Sequence, residues 1–255
     1  MSKILLVEDD QIDQLAFKRI FQKHFPNDTC IIAESIKAAF ENYETSSFDF
    51  LVLDYNLSDG NAFEFLSPQI KTPVVILSGA INAQLIQKAK EKGALDFLLK
   101  DSRLQYLPLI MDLIHQHLYA SPSPLKQTTS PTPSDNQTFD LQFLNQTFDK
   151  NKTQIKEILE VFLERNPIDL DHLIHGLKKQ DSKTLQNKAH KIKSGYQLLG
   201  ISKAAELAEK IEEEAKEINR NFTSLQKKVD KLAYVSKETH KLIQQLLKSN
   251  YFDQD

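Results

Sequence analysis

Two residues of this chain are of types that can carry a phosphoryl group, and each sits among suitable neighbours: Asp54 in FDFLVLDYNLSDG and His190 in KAHKIKSGYQLLG. A carboxylate can attack phosphorus to form an acyl phosphate once cations and donors neutralise the transferring group. A neutral imidazole can do so near pH 7 through one ring nitrogen. Glu8, Asp9, Asp54, Ser78 and Lys100 each fall at the end of an apolar, β-rich run. If those ends converge, three carboxylates, a hydroxyl and an ammonium share one place. Carboxylates so gathered raise one another's pKa, which a hard divalent cation such as Mg2+ relieves by oxygen coordination. Lys100 adds a point charge.

The elements that must position these groups change halfway along the chain. Through about residue 119, apolar runs alternate with amphipathic helical stretches, the rhythm of a parallel sheet covered on both faces. The runs KILLVE from Lys3, TCIIAE from Thr29, DFLVLD from Asp49, PVVILS from Pro73 and LDFLLK from Leu95 predict five strands. QLAFKRIFQKHF, IKAAFENY, AQLIQKAKEKG and LQYLPLIMDLIHQHL predict helices, with Gly93 ending the third and Pro108 in the first turn of the last. Five βα units follow, and in an open parallel sheet ligand chemistry gathers at the carboxyl ends of the strands. Asp10 reads as the N-cap of the first helix, and Asp59 as a turn residue before Gly60.

Residues 121–138, SPSPLKQTTSPTPSDNQT, hold four of the nine prolines among Ser, Thr and Gln and read as an extended linker. From Phe139 no stretch reads as a strand. Apolar residues instead recur at helical spacing, as at Ile155, Ile158, Leu159 and Phe162, and at Leu225, Val229 and Leu232, predicting an all-α bundle. The expected boundaries are 1–120, 121–138 and 139–255. Around His190, a stripe of Leu185, Ala189, Ile192, Leu198 and Leu199 is expected to be buried, with His190 on the accessible face. Lys193, one turn on, is placed to steady an incoming charge, and Gln197, two turns on, to donate a hydrogen bond. Ser194 and Gly195 leave room for a partner surface. His172 and His175 lack a third ligand and read as surface residues.

Residues 1–120 closely resemble the receiver domain of bacterial response regulators. The resemblance implies a flavodoxin-like, doubly wound, five-stranded parallel sheet with Asp54 as phosphoacceptor and Glu8 and Asp9 as the acidic pair for Mg2+. It further implies that Asn56 lends a backbone carbonyl to the metal, Ser78 bonds the phosphoryl group on activation, Lys100 is the family's invariant lysine, and Phe97 occupies an aromatic switch position. Ser58, Ala62 and Asp101 stand where the family commonly has proline, glycine and proline. Residues from 139 to about 248 look like a histidine phosphotransfer (HPt) domain, a four-helix bundle, through Ala189, His190, Ile192, Lys193 and Gly200. Ser194 replaces the glycine usual after the lysine.

Together these imply a phosphorelay protein that accepts a phosphoryl group on Asp54 from a partner phosphohistidine. His190 would exchange it with an aspartate of this or another receiver. The alternatives are a switched adaptor whose bundle docks partners, or a phosphatase, without carrying phosphate. Expected partners are an upstream histidine kinase or phosphotransfer protein and a downstream receiver. Neither a nucleotide-binding glycine motif nor a kinase ATP domain is evident. The net charge of −3 argues against nonspecific nucleic-acid binding, and 40% hydrophobic with 26% charged residues is ordinary for globular protein. Cys30 is alone, in an apolar run that favours a buried structural thiol. The N-terminus turns acidic too early for a signal peptide, and no apolar run approaches the ~18 residues of a membrane span, so a cytoplasmic protein is expected.

Overall fold

Consecutive apolar residues form five strands of one sheet, each paired in parallel with its neighbours. The computed structural model describes residues 1–79, 82–100, 106–119, 139 and 141–252. The chain divides into two units, Met1–Thr129 and Ser130–Asp255. The 121–138 stretch read as a linker, and Asp101, lie outside the described residues.

The first unit runs β1 (Lys3–Val7), α1 (Gln11–His24), β2 (Thr29–Ala33), α2 (Ile36–Thr45), β3 (Phe50–Asp54), β4 (Asn56–Leu57), β5 (Gly60–Asn61), α3 (Ala62–Phe65), β6 (Val74–Ser78), α4 (Ala83–Glu91), β7 (Asp96–Leu99) and α5 (Tyr106–Tyr119). The main sheet has the order β2-β1-β3-β6-β7, the flavodoxin-like arrangement, in which the chain reverses direction across the sheet beside β1. Every residue of β3 and of β6 is buried, as expected of central strands covered on both faces.

Two elements depart from the expected pattern. After β3 the chain makes a small antiparallel ladder, β4 with β5, and the third crossover is a single turn, α3, fixed by a capping box of Asn61 and Glu64. Four residues are too few to show helical periodicity. Asp59 also does more than turn the chain. Its two carboxylate oxygens accept from the backbone N–H groups of Ile36 and Lys37 at 2.9 and 3.0 Å, so it caps α2 from 22 or more residues away, beside the local cap Ser35. Asp59 thus lies in the turn before Gly60 as read, and is in addition a long-range cap. Asp10 caps α1 by accepting from Ile12 and Asp13. Gly93, at φ +88°, follows the end of α4 in the left-handed conformation that glycine adopts without strain.

The second unit contains α6 (Leu141–Thr147), α7 (Lys152–Lys178), α8 (Ser182–Leu198), α9 (Ser202–Lys216) and α10 (Phe222–Leu247). The four long helices close a ring, with α8 packed on α7 and α9, and α10 on the same two. Leu185, Ala189, Ile192, Leu198 and Leu199 are all buried, the stripe expected from their spacing. Gly200, at φ +71°, lets the chain turn at once from α8 into α9. No described helix is long and apolar enough to cross a membrane.

Removing the distant cap should loosen α2 selectively. Asp59→Ala is expected to lower the unfolding free energy of the first unit by about 1 kcal/mol, read by chemical denaturation of the full chain, with amide exchange in α2 accelerated first. Unchanged exchange in α2 would contradict the capping role.

Candidate functional site

The carboxyl ends of β1, β3, β6 and β7 meet as their register requires. Asp54 ends β3 opposite Leu77, and the backbone N–H of Lys100 bonds the carbonyl of Ser78 at 2.8 Å, placing Lys100 at the rim. Glu8 follows β1, and the short step to the α1 cap fixes it. Its carboxylate accepts from the Asp10 N–H at 3.1 Å, and its carbonyl from the Gln14 side chain at 2.6 Å. Oxygens of Glu8, Asp9 and Asp54 lie within 4.8 Å of one another, a hard-oxygen set of the kind that Mg2+ takes.

One buried cation holds this acidic pocket together. The Lys100 ammonium lies 2.5 Å from Glu8, 3.0 Å from Asp13 and 3.2 Å from Asp54. Burial works against its charge, but Asp54, Glu8 and Asp13 more than reverse that and hold the ammonium well above its ordinary pKa. Burial pushes the Glu8 carboxyl well above the usual range. Lys100 draws it back, while Asp54, Asp13 and Asp10 add repulsion. An acidic pocket in which one carboxyl is already pressed towards its neutral form fits a bound divalent cation.

Of the other expected residues, Ser78 is 1% exposed beside Asp54, and Phe97 is 6% exposed, turned inward with its ring 5.9 Å from that of Tyr55. The backbone N–H of Asn56 reaches an Asp54 oxygen at 3.4 Å, at the start of the β4–β5 ladder. Cys30 is half-buried instead of buried. Desolvation nonetheless pushes its thiol up to about 12, which leaves it unreactive near neutrality.

In the bundle, His190 is not on the open face expected of it. Its side chain is 13% exposed, with Nδ1 3.3 Å from Glu212 on α9. Lys193, 3% exposed, is also buried, with Nζ 2.9 Å from the same carboxylate oxygen and 3.8 Å from Glu209. The expected accessibility of His190 is corrected, because α9 packs over this face of α8. Lys216 bonds the second Glu212 oxygen at 2.7 Å. Burial alone would raise the Glu212 carboxyl, but its hydrogen bond to His190 and the His190 and Lys193 charges hold it well below the carboxylate range. The ring nitrogen Nε2 has no hydrogen-bond partner among the described residues, and Gln197 is half-buried further along α8. An imidazole donating from Nδ1 keeps its lone pair on Nε2.

The response regulator receiver domain family matches residues 4–111, and the Hpt domain family matches residues 157–248. The chain carries a receiver domain followed by an Hpt domain. The sensory transduction protein LytT of Bacillus cereus is 29% identical over 102 residues, which are 39% of this chain and 42% of that protein. The two-component response regulator ORR26 of Oryza sativa subsp. japonica is 24% identical over 178 residues, 67% of this chain and 29% of its own. The chain thus spans less than half the length of these curated relatives. Among solved structures, the phosphorylated cyanobacterial phytochrome response regulator RcpA is 25% identical, with 49% of this chain and 99% of that one covered and a TM-score of 0.42.

Two residues of these sites escaped sequence reading. In sequence, nothing marks Asp13 of the receiver beyond its being an acid in the first turn of α1. Glu212 of the Hpt domain lay in a charge-rich helix, LAEKIEEEAKE, yet its position carried a signal. It falls four residues after Ala208 and beside Ile211, inside the buried stripe of α9, where a lone carboxylate demands partners.

Glu212 neutralises a buried lysine, so its loss should cost the Hpt domain. Glu212→Ala is expected to lower the bundle's unfolding free energy by about 3 kcal/mol near pH 7. Because the folded carboxyl is held below its unfolded pKa of about 4.3, that stabilisation is complete above this pH and is lost as the pH falls further. Denaturant titrations of wild type and variant should therefore show a gap that begins to narrow below about pH 4 as the pH is taken to 3. A gap that widens towards acid would contradict the assignment.

Proposed function

We propose that this chain is a cytoplasmic two-component phosphorelay protein, in which Asp54 takes a phosphoryl group from a partner phosphohistidine and His190 exchanges one with a receiver aspartate. The observation that carries this is the convergence of Asp54, Glu8, Asp9 and Lys100 within one buried pocket of a receiver domain. Glu8, Asp9 and Asp54, with the Asn56 carbonyl, would hold Mg2+, which when bound supplies charge neutralisation at the acidic rim. An Asp54 oxygen forms the new bond to phosphorus as the bond to the donor imidazole nitrogen breaks. The electron pair returns to that ring, whose other nitrogen carries a proton, so that it leaves as neutral imidazole. Lys100 and the Ser78 hydroxyl bond the oxygens of the transferred group, and Phe97 responds as an aromatic switch. Attack of water on the acyl phosphate ends the signal.

In the Hpt domain, Glu212 fixes the His190 ring by accepting from Nδ1, so that Nε2 attacks phosphorus. Lys193, with Gln197 further along, steadies the added charge. The upstream partner is a histidine kinase or phosphotransfer protein, and a separate receiver is a downstream one. A second reading is favoured by the 13% exposure of His190 and the cover of α9: an Hpt domain that docks partners without carrying phosphate.

Radiolabel transfer decides between them. Wild-type protein incubated with a phosphorylated Hpt partner is expected to show base-labile label that Asp54→Asn abolishes, and acid-labile label that His190→Gln abolishes. Absence of base-labile label would sink the reading of Asp54 as phosphoacceptor. Label on Asp54 alone, with unaltered signalling in His190→Gln, would select the docking reading.

A further inference from the structure

Asp13 is the buried carboxylate beside Asp54 that the cation-binding group leaves out, since that group consists of Glu8, Asp9 and Asp54. Its side chain is 9% exposed, with Oδ2 3.0 Å from Lys100 Nζ, and Lys100 is its one ion-pair partner among the described residues. It is rigidly placed. It belongs to the first turn of α1, where its own N–H bonds the cap Asp10 at 3.2 Å.

An ammonium has three protons, and three carboxylates surround this one, at 2.5 Å for Glu8, 3.0 Å for Asp13 and 3.2 Å for Asp54. The cation therefore sits closest to the two carboxylates that accept no phosphate. To bond an oxygen of a group arriving on Asp54, Lys100 must move towards Asp54 and relinquish a carboxylate. Glu8 belongs to the cation-binding group and has a second source of positive charge. Among the described residues Asp13 has none, so its hold on Lys100 opposes that movement, and its own negative charge adds to the repulsion of an incoming phosphoryl group.

We propose that Asp13 is a positioning residue which restrains Lys100 on the α1 side of the resting pocket and thereby slows phosphorylation of Asp54. The proposal rests on the reading of Asp54 as phosphoacceptor. It adds a restraint set by the first turn of α1, outside the residues that bind cation or phosphate.

The test uses the full chain, phosphoramidate as a small phosphodonor and saturating Mg2+, so that no protein partner intervenes. The measurements are the rate of Asp54 phosphorylation, Mg2+ affinity in the absence of phosphodonor, and thermal stability. Asp13→Asn, which keeps shape and removes charge, is expected to phosphorylate about threefold or more faster, even if it melts earlier. Asp13→Glu should restore the wild-type rate to within about twofold, and Mg2+ affinity should change by less than about threefold in either variant. A merely structural residue would lower stability without raising the rate. If Asp13→Asn phosphorylates at or below the wild-type rate while wild type labels Asp54, the proposal falls and the phosphoacceptor reading stands. If Mg2+ affinity drops in Asp13→Asn as far as in Glu8→Gln, Asp13 belongs to the cation site and the proposal also falls. If wild type takes no label that Asp54→Asn abolishes, the phosphoacceptor reading fails as well.

Discussion

A single ammonium buried among three carboxylates governs the receiver half of this protein. Lys100 is 7% exposed, and leaving such a charge unpaired would cost several kcal/mol. Its three partners come from three separate stretches of chain, the end of β1, the first turn of α1 and the end of β3. The lysine can be satisfied only if the parallel sheet forms in register, with three residues between the end of β1 and the start of α1. The charge cluster thus depends on the fold and also specifies it, because a one-residue slip of β3 would turn Asp54 to the other face. The converse constraint is equally firm. One lysine cannot balance Glu8, Asp13 and Asp54, so among the described residues its three partners carry an excess of negative charge.

The Hpt domain solves the same problem with the signs reversed. There a buried carboxylate is the centre, and His190, Lys193 and Lys216 gather around it. Glu212 comes from α9 and its partners His190 and Lys193 from α8, so the ion pairs join the two helices that pack most closely in the bundle. The early turn at Gly200 makes this possible, since it sends α9 directly back along α8.

Much of this was legible in the sequence for a physical reason. Buried parallel strands must be apolar at consecutive positions, so five such runs marked the sheet to within a residue or two. The residue ending each run also marked the rim, which is how Glu8, Asp54, Ser78 and Lys100 could be read together. The Pro- and Ser-rich composition at 121–138 separated the sheet rhythm from the helical one. What stayed hidden were pairings between residues distant in sequence. Asp59 caps a helix more than twenty residues earlier, Asp13 reaches Lys100 across 87 positions, and Glu212 covers His190 from the next helix. Periodicity locates a buried stripe on one helix but does not say which neighbouring helix lies over the opposite edge. His190 was therefore read as accessible, although Glu212 of α9 lies against it.

The two clusters differ in what an added phosphoryl group would do to them. Among the described residues of the receiver pocket, three carboxylates face Lys100 before any phosphate arrives, so further negative charge is tolerable only with more positive charge beside it. The oxygen set of Glu8, Asp9 and Asp54 is suited to hold that charge as a divalent ion. In the Hpt cluster, two lysines already face Glu212, and a phosphoryl group on His190 could draw on either without any metal. Lys216, 46% exposed, can leave Glu212 for a new anion at little desolvation cost, whereas Lys193 is buried and fixed. Under the proposed relay, phosphate on Asp54 would therefore depend on the supply of divalent cation and phosphate on His190 would not. That asymmetry arises from how many buried carboxylates each unit sets against its lysines.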